Sequence, residues 1–153
     1  MKLIQSLFGA ATIASTLLLA PMAFAHTDEY LDTQTTPHGG QLRMSGPLHL
    51  ELVVVKDSTE VKENPVIVYV TDHGGNSIAT EGATGSVTLL SGKTKASITL
   101  APDGENRLKG VGKYASTAEM KAVVSVTLAG KPAEQASFKP LDVKSESHSM
   151  HEH

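Results

Sequence analysis

The chain contains no cysteine and no tryptophan. Without thiols it has no disulfides, no thiolate zinc sites, no blue-copper centre and no iron–sulfur cluster. Lipid attachment at a cysteine is excluded on the same ground. Aromatic residues are scarce: beyond residue 25 only Tyr30, Tyr69, Tyr114 and Phe138 remain. That is too few for a platform on which sugars or bases stack. Positive charge is also short, with 13 Lys and Arg against 16 Asp and Glu. A nucleic-acid binder wants a basic face, so that class is disfavoured. The G-x-S-x-G elbow, the H-E-x-x-H helix and the phosphate loop are all missing, which argues against hydrolases and against an enzyme in general.

What is present begins with an export signal. Lys2 supplies the positive start, residues 3–20 are largely apolar, Pro21 breaks the run, and Ala23-Phe24-Ala25 fits the small-x-small cleavage rule. Gln5, Ser6, Ser15 and Thr16 interrupt the apolar run and no charged stop-transfer flank follows, so a cleaved leader is expected rather than a membrane anchor. The expected mature protein is periplasmic and free of the membrane. The leader takes one lysine and no acid, leaving residues 26–153 at a net charge of −4. Cleavage after Ala25 makes His26 the new N-terminus. Its α-amine and imidazole can then chelate one Cu(II) without any loop to close, although some residue must follow any cut and the histidine can be incidental.

Residues 26–37 are polar and aperiodic and read as a flexible arm. From 38 to 141 the pattern is short β-rich runs at 42–44, 48–55, 66–71, 86–90, 96–100, 121–128 and 134–138. Several alternate cleanly: Ala122, Val124, Val126 and Leu128 face one way, Val123, Ser125 and Thr127 the other. Ser45-Gly46-Pro47, His73-Gly74-Gly75-Asn76, Ser91-Gly92-Lys93, Pro102-Asp103-Gly104 and Gly130-Lys131-Pro132 are turn chemistry. About seven short strands at this spacing predict an all-β, immunoglobulin-like antiparallel sandwich over 38–141. The tail, 142–153, is charged and serine-rich and is expected to be disordered without a ligand.

The seven histidines carry the functional signal. Imidazole is the commonest protein metal ligand and suits copper, nickel and zinc. His26, His38, His49 and His73 are spread over the body; His148, Met150, His151 and His153 crowd the tail, where a loose segment can wrap one ion. Methionine beside histidine at Met44/His49 and Met150/His151 favours copper, with nickel and zinc as alternatives.

The first hairpin has two registers. Placing Met44 opposite Leu50 sorts apolar from polar side chains, so burial is expected to select it. Arg43 then opposes Glu51, a cross-strand pair worth ~0.2–1 kcal/mol, and His49 is left exposed on the outer face. His38 stands at the strand's far end, roughly 20 Å away. Another strand must therefore bring a partner, and His73 in its Gly-Gly turn is the candidate.

The stretch TPHGGQLRMSGPLHLELVVV, continued by VIVYVTDHGGNSIATEGATGSVTLLSGKTKASITL and KAVVSVTLAGKPAEQASF, resembles small periplasmic proteins found with heavy-metal efflux systems. It is also similar to N-terminal segments of the adaptor subunits of those pumps. The shared features are "PHGG" at Pro37–Gly40 and "H-x-E-L-V" at His49–Val53. The resemblance implies a metal-binding or resistance accessory with a pump adaptor as partner, and makes His38, His49 and Glu51 conspicuous. The long helical hairpin and lipoyl-like parts of a full adaptor are absent. The leading expectation is a metal buffer, chaperone or delivery module. The alternatives are a copper oxidase with a His26 brace and a metal-independent β-sandwich interaction module.

Overall fold

The structure, a computed structural model, describes residues 26–142. The leader and the tail histidines His148, His151 and His153, with Met150, lie outside the described residues. A four-residue helix, α1 (Asp28–Leu31), precedes eight strands: β1 (Gln41–Ser45), β2 (Leu48–Val54), β3 (Lys62–Thr71), β4 (Thr84–Ser91), β5 (Thr94–Pro102), β6 (Arg107–Tyr114), β7 (Lys121–Thr127) and β8 (Ala133–Phe138). The strands run in the order β1-β2-β3-β6-β5-β4-β7-β8, and every pairing is antiparallel. The two ends meet: Ser45 Oγ lies 2.9 Å from both Glu134 Oε2 and the Gln135 carbonyl oxygen, and Lys139 N donates to Gln41 Oε1 at 2.8 Å. The fold is thus an all-β antiparallel sandwich whose sheet nearly closes on itself.

Alternation builds the interior. Leu50, Leu52, Val66, Val68, Val70, Val87, Leu89, Leu108, Val124 and Val126 are fully buried, and Ile98, Leu100, Ala122 and Phe138 are among the residues that pack with them. One strand, β6, was not expected from the sequence, because Gly110 and Gly112 interrupt its pattern. Both glycines are there for space. A Cβ on Gly110 would collide with the Thr99 carbonyl oxygen, and one on Gly112 with the Ile98 side chain. The strand crosses so close to β5 that side chains do not fit.

The expected hairpin register is overturned. Met44 opposes His49, Leu42 opposes Glu51, and Arg43 opposes Leu50. The turn decides it. Gly46 at φ +52 followed by Pro47 makes a two-residue loop, which fixes Ser45 opposite Leu48. The expectation assumed that the outer face of β2 meets water. It does not: six of the seven β2 residues are buried, on both faces. Polar residues on that outer face are covered, so sorting apolar from polar was not the governing criterion.

The predicted Arg43–Glu51 pair is absent for the same reason. Arg43 faces inward at the sheet edge and bonds Asp32 through Nη1 at 2.7 Å, with Asp28 at 3.6 Å from Nε. These contacts, with buried Leu31, seat residues 26–37 on β1. The segment read as a flexible arm carries a docked helix, capped by the Thr27 hydroxyl on Tyr30 N.

Candidate functional site

All four histidines of the described chain make ring contacts, and three of them sit over the outer face of β1, β2 and β3. The face is set by the register. Leu42, Glu51 and Tyr69 form one row across the three strands, and Met44, His49 and Thr71 form the next. Rows are spaced by two residues, ~7 Å along the strand.

His49 occupies the second row and is only 8% exposed, which corrects the expectation of a free surface histidine. The His73 ring covers it, with centroids 4.8 Å apart and planes inclined at 23°. His73 is placed by its turn. Asp72 accepts from Gly74 N and Asn76 N at 2.8 and 2.9 Å through Oδ1, and Gly75 takes φ +81 to complete the bend. The His73 ring then reaches across to the β1–β2 turn, where Nε2 lies 3.0 Å from the Gly46 carbonyl oxygen. A carbonyl only accepts, so Nε2 carries the hydrogen and Nδ1 keeps the lone pair.

The Nε2 atom of His49 is buried and meets no hydrogen-bond partner among the described residues. Such an atom costs free energy and calls for an explanation. Burial, followed by the charges of His73 and His26, holds the His49 pKa below its ordinary 6.5, with Asp72 pulling the other way. The ring is therefore neutral at neutral pH, the form that binds metals. His26 is near enough for its charge to act on His49, while its own ring stacks on Tyr30 at 4.9 Å.

Glu51 lies in the neighbouring row, 4% exposed. Its Oε1 accepts from His38 N and Gly40 N, each at 3.0 Å, and its Oε2 lies 2.9 Å from His38 Nδ1. The His38 ring lies flat on Tyr69, with centroids 3.5 Å apart and planes 2° from parallel. The two glycines after His38 have separate reasons. Gly39 takes φ +70, and a Cβ on Gly40 would collide with the Leu52 carbonyl oxygen. The loop thus folds back, and His38 rests above Glu51 rather than at the remote end of a strand.

The structure therefore brings His49 to His73, places His38 on the residue two positions from His49, and sets Met44 directly across from His49. Tyr69 was missed by sequence reasoning; the β2–β3 register that puts it beside Glu51 is not visible in the chain. Among the described residues, no group of three or more His, Cys, Asp or Glu side chains is arranged to hold a metal ion. His49 and His73 bring two imidazoles together, and Met44 stands opposite His49 in the strand register. Among the described residues no helix is long and apolar enough to cross a membrane.

No family model and no curated protein matches the chain. Among solved structures it is similar to a DUF4426 family protein from Pseudomonas aeruginosa, at 20% identity and a TM-score of 0.38, covering 67% of this chain and 94% of that one. A likeness at that level carries no argument about function.

Proposed function

We propose that the protein is an exported transition-metal-binding protein, with copper as first cargo, that serves as a periplasmic buffer, chaperone or accessory to metal efflux. The observation that carries this reading is the buried, unpartnered Nε2 of His49 beneath the His73 ring. With its hydrogen on Nδ1, a neutral His49 keeps at Nε2 a lone pair held away from water and from protein donors, open to a cation. Met44 opposite His49 adds a soft donor suited to Cu(I), and His73 offers Nδ1 once its ring leaves the stack. His73 is exposed and mounted on a turn, so that rotation needs no change in the sheet. Nickel and zinc remain alternatives by the same donor chemistry, and the tail histidines are a separate source of donors.

Calorimetric titration of the secreted protein with Cu(I), Cu(II), Ni(II) and Zn(II) tests the proposal. A stoichiometric site that is lost in both His49→Gln and His73→Gln supports it. An unchanged binding stoichiometry in both variants, or no binding in the intact protein, rejects it.

A further inference from the structure

Glu51 is a buried carboxylate, and burial of a charge is costly unless the charge is well satisfied. Among the described residues, its three hydrogen-bond contacts are with His38 and Gly40. The guanidinium expected to pair with it, that of Arg43, is engaged with Asp32 instead. The division of labour between the two oxygens is informative. Oε1 alone anchors the loop, taking both backbone N–H groups. Among the described residues, Oε2 meets the imidazole ring alone. A carboxylate that served only to hold the loop has no need of the second contact.

We infer that Glu51 is a positioning residue that fixes His38 with its hydrogen on Nδ1, so that Nε2 is the open donor His38 contributes to the metal-binding face. This inference rests on the proposed metal function. An ionised carboxylate only accepts, so the ring nitrogen facing it must carry the hydrogen. The lone pair of the neutral ring then belongs to Nε2. The flat stack on Tyr69 fixes the ring plane as well. This is the carboxylate–histidine arrangement that orients metal-ligating imidazoles and raises their basicity. His38 is also accessible, with its side chain 39% exposed, whereas the His49 nitrogen is buried one row away. The two donors thus share a face at different depths.

Glu51→Gln separates anchoring from positioning. Its Oε1 still accepts the two backbone N–H groups, while its NH₂ now faces the His38 ring. A donor opposite Nδ1 moves the ring hydrogen to Nε2 and removes the open lone pair. Ring nitrogen shifts of the neutral histidines in the full-length protein read the tautomer with no metal present. The wild type should show His38 protonated on Nδ1, and Glu51→Gln should show it protonated on Nε2. Tyr69 supplies the second readout. Its ring touches that of His38, so Cu(II) bound there quenches its fluorescence, and Tyr69→Phe identifies that share of the signal. Removing such a supporting carboxylate lowers metal affinity by about 10–100-fold, so the copper midpoint of Tyr69 quenching should rise by that factor in Glu51→Gln, and the same quenching should vanish in His38→Gln. A wild-type His38 protonated on Nε2 overturns the inference, even if Glu51→Gln does not fold. So does an unchanged midpoint in Glu51→Gln while the His49- and His73-dependent site persists. Absence of any metal response rejects the proposed function itself, and the inference with it.

Discussion

Replacing His49 by leucine should stabilise the protein while removing its metal site. The imidazole is 8% exposed and its Nε2 has no partner among the described residues. A buried polar atom left unsatisfied costs about 1–3 kcal/mol. Leucine has similar bulk and no polar atom, so the substitution removes that cost. Against this stands the stack with His73, since a ring pair contributes ~0.5–1.5 kcal/mol beyond its burial. His73 itself loses little, because it is exposed and keeps its bond to the Gly46 carbonyl. The midpoints of the two terms leave a balance of about 1 kcal/mol in favour of His49→Leu. Thermal unfolding of the metal-free protein at neutral pH reads this directly. For a domain of this size a gain of 1 kcal/mol raises Tm by roughly 3–6 °C. The same variant should lose the stoichiometric metal site in calorimetry. A His49→Leu protein that is less stable than the wild type by more than about 1 kcal/mol refutes the reasoning. It would mean that Nε2 is satisfied and that the histidine is there for stability.

Further outcomes follow from other parts of the structure. The His49 pKa is depressed in the fold, mainly by burial. The unfolded chain therefore takes up the proton first as pH falls. The stability that neutral His49 contributes is complete above its ordinary 6.5 and is lost as the pH drops from there toward the lower folded value. Denaturant midpoints measured across that window should fall less in His49→Leu than in the wild type. Gly110→Ala drives a Cβ into the Thr99 carbonyl oxygen and to 2.6 Å from Ile98 Cγ2; overpacking of this kind should cost about 1–3 kcal/mol in urea unfolding. Tyr114→Phe removes the hydroxyl that donates to the Pro65 carbonyl at 2.6 Å and accepts from Val55 N at 3.0 Å. Two groups lose their partner, and a loss of about 1–3 kcal/mol with an unchanged m-value is expected.

The parts of the fold that were legible in the sequence are those governed by short-range pattern. The alternation over 121–128 names the inward side chains of β7, since Ala122, Val124 and Val126 are buried. Turn chemistry at Gly46-Pro47 marks the first hairpin, and the same turn sets its register. The register was misread because burial of one face was taken to imply exposure of the other. Loop 36–40 and turn 72–76 cover the outer face of β2, and neither covering is visible from β2 itself. The same blind spot hid Glu51: its partner is His38, delivered by a loop that folds back through Gly39 and Gly40. β6 escaped notice because its glycines answer to a neighbouring strand distant in sequence. For the site, residue type singled out the histidines, and His73, sought as a partner for His38 or His49, lies against His49. The orphaned nitrogen and the Tyr69 platform are products of tertiary packing, which no spacing rule in one sequence reveals.

Residue-by-residue observation of the histidine rings during addition of Cu(I) or Zn(II), both diamagnetic, to the intact secreted protein tests the central claim most directly. The account predicts that the ring nitrogens of His49 and His73 shift together and reach saturation at one equivalent per site. Shifts confined to His148, His151 and His153, with His49 and His73 unmoved at saturation, would contradict it.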